Sequence, residues 1–192
     1  ELPQFCMVGG KWTTFRAFAE QTADIVLAEL RHERRRGTID IPIGGGAGFP
    51  KDPAGLETGL MERYGVDAGR ARHLVDAYGT RAGDVLVFCI GRDDDRALDA
   101  ACPTTEAEIA WLARTEFAVH LDDMLLRRTA LSIRGDVSSA IVDRVADAMA
   151  RELGWNPERK ATEIGTFIRD LADYHGVSRE TLERRTRDRS RT

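Results

Sequence analysis

From Leu56 to the C-terminus, apolar residues recur every three or four positions. That period restricts the chain to packed helices more firmly than any other feature it carries. The clearest stripe is Ile141, Val142, Val145, Ala148, Met149 and Leu153, with Gly154 standing where a left-handed C-cap belongs. Asn156-Pro157 supplies an N-cap followed by proline at the first helical position. The helix it opens turns Ile164, Phe167, Ile168 and Leu171 inward and stops near Gly176. Upstream, Asp67 caps a helix through Tyr78, and Thr80 is placed to cap another through Val85-Leu86-Val87-Phe88. Thr105-Glu106-Ala107-Glu108 fits a capping box. A further helical stretch, Leu121 to Ile133, follows a bend near His120. The pattern predicts an all-α bundle over residues 56–192.

The N-terminal part reads differently. Phe5-Cys6-Met7-Val8 is a strand-like apolar run, Gly9-Gly10 breaks it, and Phe15, Phe18, Ala19, Thr22, Ile25, Val26 and Leu30 draw one helical stripe capped by Thr13 or Thr14. The cations of residues 31–36 are expected to complement the C-terminal end of that helix. Between Gly37 and Gly55 lie three prolines and six glycines, which predicts a linker over 37–55 and a domain boundary there. The chain starts Glu1-Leu2-Pro3, without methionine and close to an apolar run, as expected of a piece of a larger protein. The fold expected is mainly α: a helical bundle preceded, over residues 1–36, by a strand-turn-helix.

Composition excludes several classes. Hydrophobic residues at 42% and charged residues at 31% are those of a globular chain rather than a disordered one. No apolar stretch approaches the ~20 residues of a membrane-spanning helix. Cys6, Cys89 and Cys102 form an odd, widely spaced set, which argues against a disulfide framework and offers no zinc-ligand spacing. His32, His73, His120 and His175 are likewise scattered and read as surface or helix-end residues. Asp93-Asp94-Asp95 lacks the alternating ligands of a calcium loop and reads as a solvated turn. Trp111 and Trp155 read as core or interface aromatics, and Arg127-Arg128 as a salt-bridged or interfacial pair. No metal site is expected.

Two glycine clusters invite a phosphate-binding reading. Gly44-Gly45-Gly46-Ala47-Gly48 fails it: Phe49 takes the last glycine position of GxGxxG, and flanking prolines replace the required strand and helix, so a flexible loop is expected. Gly9-Gly10-Lys11-Trp12-Thr13-Thr14 fits better. Two glycines let the backbone pass close to another molecule, the free amides of the helix start favour anionic atoms, and Lys11 adds a mobile positive charge.

The segment Val8-Gly9-Gly10-Lys11-Trp12-Thr13-Thr14-Phe15-Arg16-Ala17-Phe18-Ala19-Glu20 resembles the one that closes the FAD-binding domain of FAD-dependent glycerol-3-phosphate dehydrogenases. Further tags agree in order: Tyr78-Gly79-Thr80-Arg81-Ala82, Thr105-Glu106-Ala107-Glu108-Ile109, Leu121 to Thr129, and Glu152-Leu153-Gly154-Trp155. The resemblance implies an α/β flavin-binding domain of which residues 1–36 are the end, and an enzyme that oxidises sn-glycerol 3-phosphate to dihydroxyacetone phosphate. Hydride would pass to FAD and electrons onward to quinone. It implies that Gly9, Gly10, Lys11, Trp12, Thr13 and Thr14 border the cofactor, with Lys11 also at the substrate. The family's dinucleotide-binding glycines and catalytic base have no counterpart here, so this chain by itself is expected to be inactive and not to retain FAD. The partners implied are the flavin-binding domain of the parent chain and a second copy in a homodimer. The implied location is cytoplasmic, with peripheral attachment of the parent to the cytoplasmic membrane.

Two other readings stand beside it. One is a helical interaction module. The other is DNA binding, because His175-Gly176-Val177-Ser178 resembles a helix-turn-helix corner and six arginines against three acids follow from Ser178 to Thr192. The overall charge of −4 argues against nucleic acid, and a frayed, solvated terminal helix is the plainer account of that tail.

Overall fold

The structure, a computed structural model, describes residues 3–9 and 11–190, the side chain of Trp12 excepted. The chain divides into two compact units, Glu1–Ile43 and Gly44–Thr192. The division falls within the Gly/Pro-rich stretch.

In the first unit a single 3-10 turn, Trp12–Thr14, leads into α1, Phe15–Glu29. Residues 3–9 form no strand. An extended run needs a neighbour for its ladder, and the described residues of this unit offer none. The apolar stripe is helical as expected, but no residue of α1 is buried; Phe15, Ile25 and Leu30 are each about half exposed or more. Thr14 occupies the N-cap without capping an amide. The basic run 31–36 lies beyond the helix end rather than in its last turn. From there Arg34 folds back to pair with Glu20 and Asp24.

The second unit holds seven α-helices and one hairpin among the described residues. In order these are α2 (Ala54–Tyr64), α3 (Ala68–Tyr78), α4 (Ala82–Ile90), β1 (Ala97–Asp99), β2 (Cys102–Thr105), α5 (Glu106–Thr115), a π-helical turn at Asp123–Arg128, α6 (Ser139–Leu153), α7 (Pro157–His175) and α8 (Arg179–Arg189). The stop and start signals act where local chemistry allows. Asp67, Ser138, Asn156 and Ser178 each accept from the backbone amide three residues on, and Thr105 and Glu108 form the reciprocal capping box. Gly154 and Gly176 take the left-handed C-cap conformation. Leu98, Ile109, Leu121, Met124, Ile141, Val145, Met149 and Leu182 belong to one buried core, and a smaller one unites α2, α3 and α4.

Several expectations are corrected. Thr80 does not cap α4; its hydroxyl donates to the Gly45 and Ala47 carbonyls, each at 3.0 Å. The Gly44–Gly48 loop is therefore pinned rather than flexible. Gly45 and Gly79 meet backbone to backbone: a Cβ on Gly45 would stand 1.8 Å from the Tyr78 carbonyl oxygen, and Gly79 has φ +57°. The antiparallel β1–β2 hairpin, which an all-α reading does not include, lies between α4 and α5. The helix expected over 121–133 widens into the π turn and then gives way to turns up to Gly135. The terminal helix α8 is docked, not frayed: Leu182 is fully buried, Arg185 donates to the Val137 carbonyl, and Arg189 pairs with Asp99 and Asp136.

Candidate functional site

The residues singled out in the first unit gather at the start of α1. The Lys11 carbonyl accepts from both the amide and the hydroxyl of Thr14 at 3.2 Å, which closes the 3-10 turn and aims the helix's first amides outward. Gly9 lies against the Phe18 ring, where a Cβ would sit 3.1 Å from ring carbons, so an added side chain would have to push the ring by a few tenths of an ångström. Lys11, Thr13 and Thr14 are exposed, and among the described residues nothing pairs with the Lys11 ammonium. Gly10 lies outside the described residues. The turn thus presents backbone amides, hydroxyls and one free cation. These suit the edge of an electron-rich or anionic group such as FAD or a phosphate. They do not enclose a dinucleotide, because no strand–GxGxxG–helix unit occurs in the chain.

In the second unit the polar chemistry converges on Glu108, which is fully buried at the start of α5. Its carboxylate accepts from the Thr105 amide at 3.0 Å, the Tyr78 hydroxyl at 3.0 Å and His73 Nε2 at 2.8 Å, and it pairs with Arg70. Arg70 also reaches the Pro103 carbonyl at 3.2 Å and Asp95 at 3.3 Å. Three residues of α3 are thereby tied to the cap of α5. Burial alone would raise the Glu108 carboxyl, but the His73 bond and the Arg70 charge outweigh it and hold it below the usual range. Burial, together with the Glu108 charge, pushes the Tyr78 phenol upward. The Cys89 thiol is pushed up to about 12, chiefly by burial, and is inert at neutral pH.

Beside this network a cavity of about 490 Å³ opens between α3, β2 and the segment following the π turn. Arg72, His73, Asp76, Arg128, Arg134 and Asp136 supply its polar wall. The sequence places His73 among surface or helix-end residues; it is instead mostly buried and hydrogen-bonded. The signal that could have placed it is its i, i+3 spacing from Arg70 on the face of α3 that meets Glu108.

The remaining candidates resolve locally. Arg127 pairs with Asp122 and Asp123, and Arg128 with Glu116, so both are engaged inside the unit. Asp94 is no solvated turn residue: Arg92 hydrogen-bonds it and, with Arg151, lowers its carboxyl. His120 contacts Glu163 at 2.9 Å. Trp111 and Trp155 are partly buried against the cores. No cluster of His, Cys, Asp or Glu among the described residues could hold a metal ion. No helix among them is long and apolar enough to cross a membrane.

Residues 36–160 match the family model described as the C-terminal domain of alpha-glycerophosphate oxidase. Among similar curated proteins, a probable mitochondrial glycerol-3-phosphate dehydrogenase of Dictyostelium discoideum is 30% identical over 161 residues, 82% of this chain and 25% of that protein. The mitochondrial glycerol-3-phosphate dehydrogenase of Mus musculus is 30% identical over 184 residues, 91% of this chain and 24% of that protein. A glycerol-3-phosphate dehydrogenase of a Synechocystis strain is 28% identical over 166 residues, 84% of this chain and 29% of that protein. The chain therefore spans about a quarter of the length of the relatives it matches.

Proposed function

The chain belongs to the family of the C-terminal domain of alpha-glycerophosphate oxidase, and from that premise we propose that it serves as the C-terminal part of an FAD-dependent glycerol-3-phosphate dehydrogenase. In the parent enzyme, sn-glycerol 3-phosphate would be oxidised to dihydroxyacetone phosphate, with a bound FAD supplying the hydride-accepting chemistry and quinone serving as the final acceptor. The observation that carries this reading is the family match across residues 36–160. Two features support it. Lys11 is exposed and unpartnered among the described residues at an outward-facing helix start, and α1 carries an apolar stripe that its own unit leaves uncovered. A flavin-binding domain packed on that stripe would bury it.

In this reading Lys11 binds the substrate phosphate or a flavin carbonyl, while Gly9, Gly10, Trp12, Thr13 and Thr14 line the cofactor's edge. The helical unit covers the flavin domain and contacts a second subunit. The chain alone supplies neither the dinucleotide cradle nor the catalytic base, so it does not turn over. An ionic hydrogen bond to phosphate contributes about 1.5–3 kcal/mol, so Lys11→Ala in the parent enzyme is expected to lower kcat/KM by about ten- to hundredfold. Purified chain is expected to show no flavin absorbance and no glycerol-3-phosphate-dependent dye reduction; either signal refutes its inactivity. An unchanged kcat/KM in Lys11→Ala refutes the site. Light scattering that finds a strict monomer at every concentration refutes the subunit contact.

A further inference from the structure

The cavity beside Glu108 has a wall whose polar groups are incompletely used. Its volume of about 490 Å³ lies in the range of small-molecule sites. Three guanidiniums line it, Arg72, Arg128 and Arg134, against two carboxylates, Asp76 and Asp136. Asp136 is already held by Arg134 at 3.0 Å and by Arg189 from α8. Arg128 has only a 3.5 Å contact with Glu116, and the exposed Arg72 side chain has no hydrogen bond or ion pair among the described residues. The wall therefore carries an excess of positive charge, with one arginine lacking a counter-ion and another weakly held.

The acceptors are equally specific. Asp76 has no partner among the described residues. His73 gives Nε2 to Glu108. An ionised carboxylate can only accept, so Nε2 carries a hydrogen and that edge of the ring is committed to Glu108. The ring cannot turn away from this duty without breaking the 2.8 Å bond to Glu108. Arg128 ends the π-helical turn, a departure from α-helix that widens the backbone there and recurs at functional positions. Guanidiniums are suited to planar or tetrahedral anions, and unpartnered acceptors to hydroxyl donors.

We infer that this cavity binds a small hydroxylated anion, a hydroxycarboxylate or a polyol phosphate ester. Arg72 and Arg128 take the anionic group, and Asp76 accepts from its hydroxyls. Arg134 stays on Asp136 and shapes the wall. The inference rests on the second unit alone and stands whether or not the flavoenzyme reading does.

Calorimetric titration of the 192-residue chain tests it with four probes: glycerate, glycerol 2-phosphate, acetate and glycerol. At least one of the hydroxylated anions is expected to bind ten times or more tightly than acetate, and uncharged glycerol is expected not to bind. Preference for glycerate assigns a carboxylate ligand, and preference for glycerol 2-phosphate a phosphate ester. Arg72→Ala removes an exposed side chain that makes no hydrogen bond or ion pair among the described residues, so the unfolding midpoint should hold while affinity falls at least tenfold. Asp76→Asn should narrow the margin between the hydroxylated anion and acetate. The proposal is overturned if neither hydroxylated anion binds at millimolar concentration, if acetate binds as well as they do, or if Arg72→Ala leaves affinity unchanged.

Discussion

Replacing Glu108 with alanine puts the centre of the second unit to a quantitative test. The carboxylate is fully buried and takes bonds from Arg70, His73, Tyr78 and the Thr105 amide. Removing it leaves a mostly buried guanidinium short of its main counter-ion, which by itself costs about 3–5 kcal/mol. The low end applies, because Arg70 keeps Asp95 and the Pro103 carbonyl. The Tyr78 hydroxyl and half of the α5 capping box are also left unpaired, adding about 1 kcal/mol each before relaxation. A net loss of about 4 kcal/mol is expected, a large fraction of the ~5–15 kcal/mol that holds a domain. For a chain of this length that corresponds to a fall in Tm of roughly 8–16 °C. Urea unfolding followed by circular dichroism measures it. Glu108→Gln keeps the volume and two acceptor contacts and should cost about half as much. In the Glu108→Ala background Tyr78→Phe should become nearly neutral, since its hydroxyl has already lost its acceptor. A loss below about 1 kcal/mol for Glu108→Ala, or additive effects of the two substitutions, would refute the account of Glu108 as the hub joining α3 to α5.

Other perturbations separate backbone from side-chain causes. Gly45→Ala must displace the Tyr78 carbonyl, which stands 1.8 Å from the new Cβ, and is expected to cost about 3 kcal/mol or more. Gly154→Ala meets open space and loses only the ease of its φ of +69°, about 1 kcal/mol; comparable unfolding midpoints for these two variants would contradict the clasp between the glycine loop and Tyr78-Gly79. Leu182→Ala should cost about 3 kcal/mol in urea unfolding and expose the α7–α8 corner to proteolysis, because this fully buried side chain anchors α8. The carboxyls of Glu108, Asp94 and Asp123 are all held below their ordinary values, so their stabilisation is complete above about pH 4.5 and is lost as pH falls through their folded values. The urea midpoint should be flat from pH 7 to 5 and drop below pH 4, and Glu108→Gln should shallow that acid limb; an unchanged limb counts against the Glu108 contribution.

The parts of this protein that its sequence determined are those whose partners lie within a turn or two. Asp67, Thr105, Ser138, Asn156 and Ser178 each bond an amide three residues away, and Gly154 and Gly176 each end a helix through their own φ. The apolar period placed the helices for the same reason, because a face repeats every 3.6 residues whatever lies opposite. It could not show that the stripe of α1 stays unburied in its own unit, since periodicity names a face and not what covers it. Tertiary structure alone decided the rest. Thr80 has the position of a cap and instead holds carbonyls 35 and 33 residues away, and His73 has the position of a surface residue and instead meets Glu108 across 35 residues. The hairpin and the π turn stand among the helices because tertiary packing overrides local preference. The cavity wall brings Arg72 and Arg128 together from elements 56 residues apart. No local rule encodes such pairs, because the free energy that selects them comes from burying both partners at once.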